Sequence, residues 1–176
     1  LAGGGHGELV TVPAGQVMPV PSTMDLGAAA AVPESAITAW TNLVAEGGLE
    51  AGETVLISGA TGGVGSFAVP LAREIGARVI ASARDLERLA ACLERGADTV
   101  VEATPALADA VRSATDGRGV DLVMDLVGGD LLPAHLDALA LRGRLVLVGL
   151  LAGQRAELDL ARILRHRLRI IGSVLR

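Results

Sequence analysis

The segment Val55-Leu-Ile-Ser-Gly-Ala-Thr-Gly-Gly-Val-Gly65 places a buried-strand pattern directly before a cluster of glycines, and a stretch of helical period follows. That order of residue types suits one chemistry in particular. Backbone N–H groups at a helix N-terminus attract an anion, and glycines let the chain turn sharply and come close to it, which is how a dinucleotide pyrophosphate is held. Gly62, Gly63, Val64 and Gly65 are assigned to this turn, with Ala68 close to the sheet. The alternative reading is a tight strand-to-helix turn that holds no ligand.

The tip of the following strand bears on which dinucleotide is used, because NAD enzymes usually place an acidic residue there for the ribose hydroxyls. Here the segment reads Val79-Ile-Ala-Ser-Ala-Arg84, with no acid at its end. Ser82 and Arg84 are candidates to receive a 2′-phosphate, and Arg88, one helical turn later, adds a second cation. This favours NADPH. NADH stays open as the alternative, since Asp85 either caps the next helix or approaches the ribose. Two further loops fall where such a sheet binds its ligand, Asp125-Leu-Val-Gly-Gly129 and Val148-Gly-Leu-Leu-Ala-Gly153. Val127, Val148, Gly149 and Leu150 are the cofactor candidates there, the second loop bordering the nicotinamide. Asp125 reads as a buried carboxylate bonded to loop N–H groups in preference to a catalytic acid.

Other chemistries find less support. His6, His135 and His166 lack the spacing that zinc ligands need, and Cys92 is the only cysteine, so no metal site or intramolecular disulfide is expected and Cys92 reads as a helix packing residue. There is no tyrosine and every basic residue is arginine, which removes the Tyr–Lys pair of a short-chain dehydrogenase. No serine lies in a nucleophile elbow. Fifteen basic against twenty acidic residues leave a net charge of -5, without a basic stripe for nucleic acid. Arg162, Arg165, Arg167 and Arg169 read as a solvated helix face. No apolar run is long enough to span a bilayer and no segment reads as a signal peptide, so a soluble cytoplasmic protein is expected, without a membrane partner.

The elements that must position these residues form an α/β alternation. Strands are expected at residues 54–58, 78–82, 99–102, 120–126, 144–149 and 168–172, with helices at 64–75, 85–95, 105–114, 130–141 and 158–165. Together they make a doubly wound parallel sheet of Rossmann type. Upstream, residues 8–12 have strand character before Pro13. Asp25 is placed to cap a helix over 26–32, and a second helix starts at Pro33, runs through Thr38 and Trp40, and ends at Gly47-Gly48.

These blocks resemble the medium-chain dehydrogenase/reductase superfamily, in particular its zinc-free quinone oxidoreductase branch. The matching features are Gly3-Gly-Gly-His-Gly-Glu-Leu-Val10, Ala29-Ala-Ala-Val-Pro-Glu34 with Thr38-Ala-Trp40, the Gly62–Gly65 turn, Arg95-Gly-Ala-Asp98, Gly117-Arg-Gly-Val-Asp121, Asp125–Gly129, and Arg167-Leu-Arg-Ile-Ile-Gly-Ser-Val-Leu-Arg176. The last is the most specific and is similar to the p53-inducible type. The resemblance implies Thr38 at the cofactor, and residues 1–21 as the closing strands, hence the remnants, of a GroES-like β domain that is otherwise absent, with 22–176 as the nucleotide-binding domain. It also implies metal-free hydride transfer from NADPH to a quinone or activated alkene (enone), a homodimer in the full-length parent, and little activity from this chain alone. Glu34 stands where zinc-dependent relatives carry a ligand cysteine. Ala103 stands where this branch often has a tyrosine, Arg88 where it has a lysine, and Arg84 where a glycine is common. The alternatives are an enoyl reductase module of a polyketide synthase, against which the Arg167–Arg176 block argues, and a non-catalytic nucleotide-binding relative.

Overall fold

The computed structural model describes residues 5–174; residues 1–4 and 175–176, with the first part of the glycine-rich opening and the end of the Arg167–Arg176 block, lie outside them. Six strands, β1 (Thr54–Ser58), β2 (Arg78–Ala83), β3 (Thr99–Glu102), β4 (Val120–Asp125), β5 (Leu139–Leu147) and β6 (Arg169–Gly172), pair in parallel in the order β3-β2-β1-β4-β5-β6. The direction of winding reverses between β1 and β4, and in an open parallel sheet that reversal opens a crevice at the strand carboxyl ends.

Alternation along each strand divides the apolar residues into two layers. Val55, Ile57, Val79, Ala81, Leu122 and Met124 face helices α2 (Val32–Trp40), α3 (Gly63–Ile75) and α4 (Leu86–Glu94). Leu56, Ile80, Val123 and Leu145 face α5 (Leu107–Ala114) and α6 (Leu132–Ala138). The central strands are therefore buried at nearly every position, as in a sheet covered on both sides. Cys92 is a free thiol wholly buried on the sheet-facing side of α4.

Several boundaries differ from expectation, each for an identifiable reason. Residues 8–12 carry no strand, because no described segment lies alongside to pair with them, and Leu9 is 93% exposed. Asp25 caps α1 (Leu26–Ala30) by accepting from Ala28 N at 2.9 Å. The second helix runs on past Trp40 as a π-helical turn over Thr41–Glu46. Strand β5 starts at Leu139, within the span expected as helix, since Leu139 pairs with Val120 and a register shift follows, around Arg142 with its left-handed φ of 63°. It stops at Leu147, because the next two N–H groups, of Val148 and Gly149, turn to the Asp125 carbonyl. Asp159 caps α7 (Leu160–His166) rather than lying within it, and Leu168 N bonds Ile163 O, so β6 begins one residue late. Arg162 is not a solvated residue. Its side chain is 16% exposed and donates to the carbonyls of Asp137 and Leu139, tying α7 to the end of α6.

At the amino ends of the strands, Arg144 holds four segments together. It donates to the carbonyls of Gly47, Gly48 and Asp121 and to both carboxylate oxygens of Glu53, at 2.8 and 2.6 Å. Burial alone would raise the Glu53 pKa, but the Arg144 hydrogen bonds and charge, with the Glu50 N–H, hold it below the usual value. Removing one partner of a largely buried pair leaves the other desolvated and unpaired. Arg144→Met should therefore lower stability by about 3 kcal/mol in urea denaturation, and Arg144→Lys should recover only part of it, because a point charge cannot replace the planar fork.

Candidate functional site

The crevice is built where β1 and β4 end side by side. Ser58 is the register partner of both Ser82 on β2 and Asp125 on β4, so these residues form one row on the α5/α6 face of the sheet. All three are completely buried, and the hydroxyls of Ser58 and Ser82 have no hydrogen-bond partner among the described residues.

From Ser58 the chain enters the glycine turn. A Cβ on Gly65 would stand 2.5–2.6 Å from the Ala60 backbone, so only glycine lets the first turn of α3 press against the end of β1. Gly62 caps α3 without a side-chain bond, and the N–H groups of Gly63, Val64 and Gly65 take no partner among the described residues. A Cβ on Gly62 or Gly63 would meet no atom of the protein closer than 3.3 Å. The fold does not itself require glycine there; an approaching ligand would. Thr38, one turn beyond Ser35, is buried with its Oγ1 unpartnered among the described residues, and Ser35 Oγ is the atom nearest a Cβ on Gly63. Free N–H donors, a buried free hydroxyl and glycines that put no Cβ in the way fit a phosphate-bearing cofactor.

Beside this turn, Arg84 follows β2, exposed and without a hydrogen bond or ion pair among the described residues. Arg88 donates to Thr61 O at 3.0 Å, bracing the glycine turn from α4. Asp85 accepts from Arg88 N at 3.1 Å and so caps α4. Ser82 lies beneath this surface, on the side of the sheet that α5 covers, whereas Arg84 stands in solvent.

Across the crevice, Asp125 accepts from Val127 N and Gly128 N, both at 2.9 Å, through Oδ1, and its Oδ2 lies 3.0 Å from His135 Nδ1. Its carbonyl accepts from Val148 N at 2.8 Å and Gly149 N at 3.2 Å, and Val127 O accepts from Ala152 N at 2.8 Å. Gly128 and Gly129 have φ of 65° and 58°, and a Cβ on either would collide with the backbone of the second loop. The two loops thus form one unit, with Val127, Val148 and Gly149 half-buried and Leu150 exposed. It reaches the first turn through Gly59, where a Cβ would lie 3.2 and 3.3 Å from Leu126 and Val127. His135, considered in the sequence only as a metal ligand, is the group that sequence reasoning missed. Ten residues and a 3₁₀ turn separate it from Asp125, and no spacing rule covers that interval.

Among the described residues no three His, Cys, Asp or Glu side chains gather as a metal centre, and no helix is long and apolar enough to cross a membrane. The chain matches the zinc-binding dehydrogenase family over residues 63–176. It is 34% identical to a quinone oxidoreductase-like protein 2 homolog of Nematostella vectensis, over 86% of this chain and 42% of that protein. It is 37% identical to a mycocerosic acid synthase-like polyketide synthase of Mycolicibacterium smegmatis, over 84% of this chain and 7% of that protein. The quinone oxidoreductase of Thermus thermophilus, whose structures include a complex with NADPH, superimposes with a TM-score of 0.82 at 33% identity, over 93% of this chain and 52% of that one. The chain thus spans less than half the length of these two curated relatives.

Burial alone would raise the Asp125 pKa, yet the His135 hydrogen bond and charge and the Gly128 and Val127 N–H groups together lower it. A pKa lower in the folded than in the unfolded state adds stability that is fully present above the ordinary aspartate value and is lost as pH falls through the folded value. Thermal unfolding followed downward from pH 6 should show stability falling below about pH 4. In Asp125→Asn that slope should be shallower and the stability at pH 6 lower.

Proposed function

This chain belongs to the zinc-binding dehydrogenase family, among the medium-chain dehydrogenases/reductases, and we propose that it is the cofactor-holding part of an NADPH-dependent oxidoreductase that delivers hydride to a quinone or activated alkene without zinc. The observation that carries the reading is the pairing of free N–H groups at the start of α3 with an exposed, uncommitted Arg84 at a strand tip that has no acid. NADPH, when bound, supplies the hydride.

The chain's own residues bind and orient. The N–H groups of Gly63, Val64 and Gly65 receive the pyrophosphate oxygens, assisted by the helix dipole, while Gly62 keeps the approach open. Thr38 donates its free hydroxyl to the same cofactor. Arg84 pairs with the 2′-phosphate, and Arg88 adds charge while holding the turn through Thr61. Asp85 is engaged as a cap, which leaves the strand tip without a carboxylate committed to ribose. Ser82, wholly buried, shapes the strand end beneath Arg84. Val127, Val148, Gly149 and Leu150 border the nicotinamide and limit water there. The NADPH complex of the Thermus thermophilus relative supports this choice of cofactor.

Residues 1–21 as closing strands of a GroES-like domain, a cytoplasmic location and a homodimer in the parent protein belong to the same proposal. A second reading, an enoyl reductase module, is favoured by the polyketide synthase relative. Full-length parent protein assayed with a quinone and with a 2-enoyl thioester separates the two.

The cofactor reading is tested by calorimetric titration with NADPH and NADH. NADPH should bind about 10- to 100-fold more tightly, the range of one charge-assisted contact, and Arg84→Ala should remove most of that preference while leaving NADH binding unchanged. Failure of both cofactors to bind, or equal affinity for them, would refute it.

A further inference from the structure

His135 on α6 is completely buried, and its side chain's only hydrogen-bond contact among the described residues is Nδ1 to Asp125 Oδ2 at 3.0 Å. Its Nε2 has no hydrogen-bond partner among the described residues. An ionised carboxylate only accepts, so the proton of this hydrogen bond sits on Nδ1, and Nε2 is left buried without a partner among the described residues. As a filler for an apolar layer this is a poor choice, since a leucine would occupy the space with no unsatisfied nitrogen. What the imidazole supplies and a leucine does not is one N–H aimed at Asp125.

The other oxygen of that carboxylate holds Val127 N and Gly128 N, and the Asp125 carbonyl holds Val148 N and Gly149 N. Both loops assigned to the nicotinamide side therefore hang from one residue, whose side chain is held by the loop N–H groups on one oxygen and by His135 on the other. We propose that His135 is a positioning residue for the nicotinamide half of the site. By donating Nδ1–H to Asp125 Oδ2 it locks the carboxylate in the orientation that shapes the paired loops, without touching the cofactor. The inference rests on the NADPH reading above, and it goes further by dividing the site in two. The adenosine half depends on the glycine turn and Arg84, and the nicotinamide half depends on His135.

That division sets the experiment. Adenosine 2′,5′-bisphosphate carries the adenosine half alone, so its affinity reads the first half and NADPH reads both. Titrations of the full chain compare wild type with His135→Leu, His135→Asn and His135→Gln, with circular dichroism as the check on folding. In His135→Leu, NADPH should bind at least about 10-fold more weakly, the scale of one buried hydrogen bond, while the bisphosphate stays within about twofold. Asparagine places its amide N–H near the position of Nδ1 and should restore NADPH affinity to within about threefold. Glutamine reaches toward the position of Nε2 instead and should not. The change in nicotinamide fluorescence on binding should follow the same order. If His135→Leu does not fold, the Asn and Gln pair carries the test. Wild-type NADPH affinity in the Leu or Gln variant, or parallel weakening of both ligands, would make His135 a packing residue and overturn the inference. Absence of bisphosphate binding to wild type would sink the cofactor reading itself, and this inference with it.

Discussion

A carboxylate with no solvent exposure is tolerable only if the protein supplies the donors that water would, and Asp125 obtains three: two loop N–H groups and one imidazole N–H. The need to satisfy that one charge organises the open end of the sheet. It bends the chain after β4 so that two N–H groups face inward, which places Gly128 and Gly129 in left-handed conformations. Those conformations bring the loop so near its neighbour after β5 that a methyl group would not fit between them. The crevice floor is thus set by electrostatics first and by packing second.

The opposite wall follows from a steric constraint. Gly65 lets α3 approach the end of β1 directly, and the first N–H groups of α3 project into the same crevice. One wall is anchored by a buried charge and the other by a missing Cβ, and Gly59 is where they meet. Neither constraint involves the far end of the sheet, where Arg144 gathers loose carbonyls and Glu53 into a separate tie. The strand carboxyl ends can in this way leave polar groups unpartnered while the amino ends are tightly satisfied.

Much of this was legible in the sequence because the relevant signals are local. Each strand covered on both faces announces itself as an apolar run, and β1 and β3 fall at the expected residues. The glycine turn, the Asp25 cap and the loop N–H bonds to Asp125 are all interactions over a few residues. What escaped depends on distant partners. Leu139 joins the sheet because Val120 lies beside it, although its sequence continues a helical pattern. Arg162 looks like any surface arginine until the end of α6 is brought beneath it. Residues 8–12 have strand composition, yet a strand is defined by its neighbour. In the sequence His135 offers only its metal-ligand spacing, because its real partner is chosen by the crossing of α6 over β4. The burial of Ser82 follows from strand parity, which a site assignment made at the strand tip alone does not consider.

The burial of Cys92 gives this molecule a built-in clock. It is the only thiol in the chain, and burial raises its pKa, partly offset by the charge of Arg95, so the native state presents no accessible thiolate to an alkylating reagent. Reaction must wait until α4 lifts from the sheet, and when reclosing outpaces alkylation its rate measures the free energy of that opening. Because α4 also carries Arg88, the same opening withdraws the brace from the glycine turn. A ligand seated on that turn would therefore slow a chemical reaction at a buried sulfur it never contacts.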